Sequence, residues 1–410
     1  MTLQLNLRAV VYSLSDALDL VGIDELYHGK RVAYMAVECA RHLGIQGDEL
    51  ENLFHAAILH DCGVSSTRVH HELVSQMEWD GSQVHCERGA MLLRRCPLLS
   101  HLAEVIRYHH THWQQLRSLS LKPTEALHSN LIFMADRIDA LVSQHTNDNL
   151  LLVKGDIRDV INALRDDMFA PHLVDAFLAV SDSEAFWFRL EDTLLKQHLN
   201  EWTGDTTLET IDFPTLKSLA EIFSNIVDAK SLFTAEHSEG VANLARYAGN
   251  LFELPEKNCD MLEIAGLLHD LGKLRVPDEI LDKPQALDAQ EFAIMERHSF
   301  DSFVILGKIK GFEEIARWAS LHHETPSGKG YPFHLKKSEL PLEARILAVV
   351  DVFQALAQDR PYRVAMTPTE IFSTLEEMAG AGRLDGDVVA KLGGHLEKCW
   401  EVAVGKKIEA

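Results

Sequence analysis

The sequence lacks the features that mark several classes of protein. Its six cysteines include no CxxC pair, so we expect reduced bystander thiols and neither a disulfide framework nor a thiolate zinc knuckle. No uncharged apolar run reaches the roughly 18–20 residues that a transmembrane helix needs. The N-terminal segment has neither a basic start nor a small-residue cleavage site. These absences predict a cytoplasmic protein without a membrane partner.

The sequence also lacks an excess of basic residues. Its 62 acidic residues outnumber 39 Lys and Arg, which gives a formal net charge of −23. Because nucleic-acid polymers bind to basic surfaces, we expect no such polymer as a partner. A small anionic substrate stays compatible with this charge, since metal ions and a few cationic side chains can reverse the field locally.

Strand signals are nearly absent, and the apolar periodicity is helical. After His237, for example, Val241, Leu244 and Ala248 recur at helical spacing. Turn-forming residues cluster in 203–214, which predicts a junction between two domains. We therefore expect an all-α protein of two domains, with residues 1–204 in the first and 205–410 in the second.

The two halves repeat one series of His and Asp residues. In both halves 32 residues separate the first His from the HD pair, and 24 separate the third His from the HH pair. Such a repeat indicates a duplicated structural unit. The first series comprises His28, His60, Asp61, His85, His109, His110 and Asp136. The second comprises His237, His269, Asp270, His298, His322, His323 and Asp351.

Imidazole and carboxylate without thiolate are ligands of intermediate divalent metals, and they argue against a closed structural zinc site. Seven such groups exceed the needs of one metal, but they suit two metals about 3.5–4 Å apart that share a bridging ligand. We assign the bridge to Asp270. A single His would more often be a satisfied polar residue between packed helices. An ordered set of seven favours metal, because burying seven titratable groups is costly without it.

Two motifs carry a specific resemblance. HDLGK (269–273) followed by HHETPSGKGYP (322–332) resembles the HD-GYP family, whose members hydrolyse cyclic dinucleotides at a metal centre on an all-helical fold. The resemblance implies two HD-type helical bundles in tandem, the second an HD-GYP domain, and it implies the second series as the metal ligands. It further implies catalytic roles for Asp270 and Lys273. Substrate contacts are implied for Lys273, Tyr331, Arg360 and Arg363, with 330–332 lining the entrance.

The chain departs from the family pattern at three places. Thr325, Pro326 and Ser327 replace a common Arg-Trp-Asp, and Gln354 replaces a common Asp, so the rim of the pocket and base recognition are expected to differ. Phe233 occupies the place where trinuclear members supply a Glu. We therefore expect two divalent transition metals, with Fe, Mn, Ni and Co all admissible.

The first half resembles a plain HD domain without the substrate apparatus. Val64 stands where Lys273 stands in the second half, no GYP follows His110, and His145 and Asp148 replace the two arginines. The first series is thus a candidate second metal site. We expect a regulatory, dimer-forming or packing role for this half; the alternative is a second hydrolase site with another substrate.

The expected reaction is attack of an activated water on phosphorus, which opens a 3′-5′ cyclic dinucleotide to a linear dinucleotide with a 5′ phosphate. Both 3′3′-cGAMP and cyclic di-GMP are candidate substrates, and the altered rim favours 3′3′-cGAMP. One alternative is a general HD-type phosphohydrolase that acts on mononucleotides. Another is a non-catalytic signalling scaffold. A homodimer, or a signalling partner at the GYP loop, is also compatible with the sequence.

Overall fold

The chain is helical almost throughout, as predicted. The structure, a computed structural model, describes residues 2–21, 27–64, 66–79, 81–145, 149–203, 208–230, 237–359 and 363–405. The named strands among these residues are two short ones, β1 (Thr2–Leu5) and β2 (Glu209–Asp212). The all-α prediction is therefore confirmed. The chain divides into two compact units, one of Asn6–Leu208 and one of Met1–Leu5 with Glu209–Ala410.

The first unit is built around the helix that begins at His28, which packs against the helix that precedes the His60-Asp61 pair and against the helix that carries Asp136. The longest of its helices begins with Pro123 at its first position, where the missing N–H of proline costs no hydrogen bond. Its helices are α1 (Leu7–Leu18), α2 (His28–His42), α3 (Asp48–Ile58), α4 (Thr67–Ser75), α5 (Ser82–Arg94), α6 (Ala103–Arg107), α7 (Trp113–Leu116), α8 (Pro123–Ser143), α9 (Leu150–Ala163), α10 (Pro171–Val180), α11 (Glu184–Phe188) and α12 (Asp192–Thr203), with a 3₁₀ helix at Ser100–Leu102.

The second unit repeats this arrangement. The helix that begins at His237 packs against the one that precedes His269 and against the one that carries Asp351. A capping box formed by Asp288 and Glu291 starts the helix that carries His298. The helices are α13 (Phe213–Asp228), α14 (His237–Leu251), α15 (Glu256–Leu268), α16 (Asp278–Leu281), α17 (Ala289–Leu306), α18 (Glu313–Ser320), α19 (Leu342–Ala357), α20 (Pro368–Gly380), α21 (Gly386–Gly393) and α22 (Leu396–Val404), with a 3₁₀ helix at Leu271–Arg275.

The start of the chain belongs to the second unit, which the predicted division at 204/205 did not anticipate. Strand β1 pairs antiparallel with β2, with Thr2 opposite Asp212 and Leu5 opposite Glu209. The Leu5 side chain is fully buried. Backbone pairing across some two hundred residues leaves no local periodicity in the sequence, so the pattern of apolar residues could not reveal it.

None of the described helices has both the length and the apolar character that crossing a bilayer requires.

Candidate metal centre

The second unit brings its whole series of seven side chains together. His237 is the first residue of α14, and the His269-Asp270 pair directly follows α15. His298 lies within α17, the His322-His323 pair follows α18, and Asp351 lies within α19. Helix ends and facing helix sides thus converge on one small volume, because the bundle packs α14 against both α15 and α19.

The ligand atoms form two groups of three. His237, His269 and Asp351 make up the first group, and His298, His322 and His323 make up the second. Within each group the candidate ligand atoms all lie within 4.8 Å of one another. In the first group, Asp351 Oδ1 lies 3.3 Å from His237 Nε2 and 3.7 Å from His269 Nε2. These are separations that ligands of one shared ion adopt.

Asp270 lies between the two groups and faces both. Its Oδ2 lies 3.4 Å from His269 Nε2 and 3.8 Å from His237 Nε2. Its Oδ1 lies 3.6 Å from His298 Nε2 and 3.8 Å from His322 Nε2. One carboxylate thus presents one oxygen to each group, which is the geometry that a bridging ligand requires.

Hydrogen bonds orient the imidazole rings so that Nε2 points into the centre. Three of the rings place Nδ1 2.5–2.8 Å from the backbone carbonyl three residues earlier, in the pairs His269 with Gly266, His298 with Met295 and His322 with Ala319. The fourth, His237, places Nδ1 2.5 Å from the side-chain oxygen of Gln354. A ring that donates through Nδ1 carries its free lone pair on Nε2, so this support selects the tautomer that binds metal.

The charges of the site also suit a cation. Burial, reinforced by neighbouring His323, lowers the pKa of His298 to about 3, and burial lowers that of His323 to about 4. Burial acts to raise the pKa of Asp270, but His269 and Lys273 outweigh it and hold this pKa well below its usual value. Neutral His298 and His323 beside ionised Asp270 are in the protonation states that bind metal. At His269, burial acts to lower the pKa, but Asp270 and Asp351 outweigh it and raise the pKa to about 9, so metal binding there displaces a proton. His269 Nε2 and Asp270 Oδ1 are buried without a hydrogen-bond partner, so the residues present fit a metal ion.

Lys273 adds a positive charge at the edge of this centre. It lies on the 3₁₀ helix that follows the HD pair, and its Nζ donates to Asp270 Oδ2 over 2.6 Å. Its side chain is about a quarter exposed, whereas His269 and Asp270 beside it are buried. The glycine of the same motif, Gly272, packs so tightly that an added Cβ would lie 2.0 Å from the carbonyl oxygen of His298. This contact explains why the motif carries glycine there.

The GYP loop covers the second group of histidines. The Tyr331 ring lies 4.8 Å from the His323 ring between centroids. An added Cβ at Gly330 would lie 2.4 Å from the carbonyl oxygen of His323, so only glycine allows this approach. Buried Glu324 holds the loop, because its carboxylate accepts hydrogen bonds from the backbone N–H groups of Phe333 and Leu335. The sequence analysis did not identify Glu324 as a functional residue, although it directly follows the His322-His323 pair.

Gln354 and Arg363 have surroundings that differ from those expected from the sequence. The sequence predicted that Gln354 would line the rim of the pocket. Instead it is fully buried behind His237 and orients that candidate ligand. Arg363 donates to the carbonyls of Ala355 and Leu356 over 2.6 and 3.0 Å, at the C-terminal end of α19. This contact satisfies carbonyls that a helix end leaves unpaired. Arg360, Phe233 and Asp148 lie outside the described residues.

The first unit assembles its own seven residues around Asp61 in the same way. Asp61 Oδ1 lies 3.3 Å from His85 Nε2, and its Oδ2 lies 3.5 Å from His60 Nε2 and 3.6 Å from His28 Nε2. Asp136 Oδ1 lies 3.4 Å from His28 Nε2. The remaining members are His109, with Nε2 4.0 Å from Asp61 Oδ1, and His110, with Nε2 3.5 Å from Asp136 Oδ2.

The surroundings of the two centres differ in charge. In the first unit His28 Nδ1 lies 2.7 Å from the Asp139 carboxylate, which also accepts a hydrogen bond from Arg31. The equivalent residue of the second unit, His237, instead contacts the neutral side chain of Gln354. Buried Val64 stands where the second unit has Lys273. Among the described residues, no ammonium therefore stands beside Asp61 in the way that Lys273 stands beside Asp270.

Comparison with known proteins places these two centres in a family. Two models, each described as an HD domain, match residues 26–141 and 221–388. The 3′3′-cGAMP-specific phosphodiesterase 1 of Vibrio cholerae is 35% identical over 98% of this chain and 94% of its own. A cyclic di-GMP phosphodiesterase of Thermotoga maritima is 34% identical over 40% of this chain and 45% of its own.

A solved structure extends the comparison to nearly the whole chain. The crystal structure of V-cGAP3, a cyclic GMP-AMP-specific phosphodiesterase of Vibrio cholerae, matches with a TM-score of 0.64 and 26% identity. It covers 96% of this chain and 98% of its own. The resemblance that HDLGK and HHETPSGKGYP suggested is thereby confirmed. The chain belongs to the HD-GYP family of cyclic dinucleotide phosphodiesterases, with an HD domain in each half.

Proposed function

We propose that the second unit holds two divalent transition metals, with Fe, Mn, Ni and Co as the candidates. His237, His269 and Asp351 would hold one of them, and the three remaining histidines of the series would hold the other. Asp270 would bridge the pair. The observation that carries this proposal is the position of the Asp270 carboxylate, with one oxygen toward each group of three ligand atoms.

We further propose that this centre opens 3′3′-cGAMP in preference to cyclic di-GMP, giving a linear dinucleotide with a 5′ phosphate. The nearly full-length likeness to a 3′3′-cGAMP-specific phosphodiesterase supports the preference. The likeness to the cyclic di-GMP phosphodiesterase of Thermotoga maritima covers only two fifths of this chain, and cyclic di-GMP is therefore the second candidate. The net charge and the residue pattern support no nucleic-acid polymer as substrate.

Each residue has a defined task in this proposal. The cations, when bound, supply an activated water and neutralise charge on the scissile phosphate. Asp270 fixes the position of both ligand groups, and the supported histidines keep Nε2 directed inward. Lys273 stands where its ammonium can meet the equatorial phosphate oxygens as negative charge grows on them. Tyr331, whose ring contacts that of His323, forms the wall against which a base can pack.

The substrate preference predicts a difference in specificity. With purified full-length chain loaded with Mn²⁺, we expect kcat/KM to be roughly tenfold higher for 3′3′-cGAMP than for cyclic di-GMP. That factor corresponds to about one added hydrogen bond to the base that differs. Chromatography and mass spectrometry of the products would measure both rates. Equal rates, or faster cleavage of cyclic di-GMP, would contradict the preference while leaving the phosphodiesterase assignment standing.

Two alternatives would show themselves in the same assay. Inertness toward both cyclic dinucleotides with rapid hydrolysis of mononucleotides would indicate a general HD-type phosphohydrolase. Inertness toward every phosphoester, with metal still bound, would indicate a signalling scaffold. The complete series of seven candidate ligands in the second unit favours catalysis over a scaffold role. A homodimer, or a partner at the GYP loop, stays a prediction, as does a cytoplasmic location.

The buried amide of Gln354 predicts an effect on metal affinity. Replacing Gln354 with leucine removes the acceptor that orients His237, so we expect metal to bind roughly 10–100-fold more weakly. Titration against a fluorescent chelator would measure this. Gln290→Leu, on the exposed face of α17, is the matched control and should leave affinity unchanged. Wild-type affinity in Gln354→Leu would show that His237 needs no such support.

We propose a regulatory or packing role for the first unit with respect to cyclic dinucleotides. The support is the absence, among the described residues, of a GYP loop and of a lysine beside Asp61. Without them the first centre has little to hold a dianionic cyclic substrate. A second hydrolase site with another substrate is the alternative, and hydrolysis that persists after loss of Asp270 would favour it.

A further inference from the structure

The first unit contains a thiol that the family motifs do not account for. Cys86 follows His85 on α5 and is fully buried. Its Sγ lies 3.7 Å from His85 Nε2 and 4.0 Å from His109 Nε2. The ligand atoms of these three residues and His110 all lie within 4.8 Å of one another. The sulfur therefore belongs to the cluster, although the sequence alone suggested a bystander.

The distances resemble the edges of a coordination tetrahedron. With metal–nitrogen bonds of about 2.0–2.1 Å and a metal–sulfur bond of about 2.3 Å, tetrahedral geometry puts two nitrogens about 3.3 Å apart and nitrogen and sulfur about 3.6 Å apart. His85 Nε2 and His109 Nε2 lie 3.2 Å apart, and the sulfur lies 3.7 and 4.0 Å from them. The spacing of these three ligand atoms therefore suits a tetrahedral ion, although 3.2 Å between two ring nitrogens also suits a hydrogen bond.

The Asp61 carboxylate faces the same two histidine nitrogens. Its Oδ1 lies 3.3 Å from His85 Nε2 and 4.0 Å from His109 Nε2. This oxygen is buried and has no hydrogen-bond partner. A buried carboxylate oxygen without a donor is costly unless a cation meets it. The orphaned oxygen is an observation independent of the position of the sulfur, and it points to the same place.

The second unit has a hydroxyl where the first has this thiol. Ser299 follows His298 as Cys86 follows His85, and its Oγ lies 3.2 Å from His298 Nε2. A neutral hydroxyl is a weak ligand, whereas a thiolate selects zinc or ferrous iron over hard cations such as Mg²⁺ and Mn²⁺. The two halves of the duplication thus differ at a residue beside the centre whose chemistry bears on metal preference.

We propose that the first unit binds a thiophilic divalent cation, zinc above others, through His85, Cys86, His109 and Asp61. As the sulfur–metal bond forms, the S–H bond breaks and its proton passes to solvent, with no change of oxidation state. The competing arrangement is a neutral thiol that donates to the Ser82 carbonyl oxygen, 3.3 Å away. The two arrangements differ in one measurable respect, which is whether sulfur touches the metal.

Cobalt can serve as the optical probe, because Co²⁺ bound to thiolate gives a sulfur-to-cobalt charge-transfer band in the near ultraviolet. We expect this band when metal-free full-length chain takes up Co²⁺. Cys86→Ser, which installs the residue found at position 299, should abolish the band. Cys96→Ser is the matched control, since Cys96 is buried in the same unit and lies outside the cluster, and it should keep the band. The centre of the second unit contains no cysteine among its seven ligands, so it contributes no such band.

Two results would overturn the proposal: no band in the wild-type chain saturated with Co²⁺, or a band that persists in Cys86→Ser. Zinc K-edge X-ray absorption of the wild-type chain provides a test that needs no variant. It should show a sulfur neighbour at about 2.3 Å from zinc. A shell of only nitrogen and oxygen neighbours would refute the site even if Cys86→Ser failed to fold.

Discussion

Asp270→Ala is expected to abolish hydrolysis of cyclic dinucleotides and to lower the metal content of the second unit. The substitution removes both carboxylate oxygens, of which one faces His269 and His237 and the other faces His298 and His322. Without the Asp270 carboxylate between them, two neighbouring metal ions would repel each other. We therefore expect at least one of the two ions to be lost. Metal analysis by mass spectrometry and a product assay would measure both effects.

The duplication provides the matched control for this experiment. Asp61 occupies the corresponding position in the first unit, with the same placement between two groups of histidines. Asp61→Ala should lower the metal content of the first unit and leave the turnover of cyclic dinucleotide intact. Thermal unfolding would verify that both variants fold. Wild-type turnover in Asp270→Ala, or loss of turnover in Asp61→Ala alone, would place the reaction elsewhere than proposed.

Lys273→Ala is expected to lower kcat by roughly 10²–10³ while metal content stays unchanged, a loss typical of removing one group that stabilises transition-state charge. Lys273 donates to Asp270 Oδ2 and is not itself one of the candidate ligands. Its contribution grows as charge develops on the phosphate, so kcat should fall more than KM changes. Steady-state kinetics together with metal analysis would separate these effects.

Arg275 offers a control on the same short helix. It also carries a positive charge, but it pairs with Asp301 over 2.9 Å and not with the centre. Arg275→Ala should therefore leave kcat near the wild-type value. If Lys273→Ala loses metal along with activity, Lys273 serves to maintain the site through Asp270. An unchanged kcat in Lys273→Ala would exclude its proposed role on the phosphate.

The membership of the two candidate sites was predictable because it rests on repetition. Helical folds tolerate changes in loop length, but helix starts and helix faces must keep their ligands in register for the side chains to meet. Two series with shared intervals of 32 and 24 residues therefore indicate two centres from the sequence alone. The structure brings both series together, around Asp61 and around Asp270.

The groups behind and beside the ligands were not predictable in the same way. Gln354 was expected at the rim, yet it lies fully buried against His237. Cys86 was expected to be a bystander, yet its sulfur lies among histidine nitrogens. The Gln354 contact joins two different helices, and the Cys86 contact depends on the direction of a side chain. Neither feature produces a repeating pattern in the sequence.

By itself, the sequence determined the all-helical class, the duplication, the two candidate ligand sets and the HD-GYP resemblance, since each depends on residue type and spacing along the chain. Only the tertiary structure decided which atom of Asp270 faces which histidines, which groups fix their tautomers, and that Leu5 is buried with the second unit. These properties depend on distances of a few ångströms between residues far apart in the chain. Such distances exist only once the helices have packed.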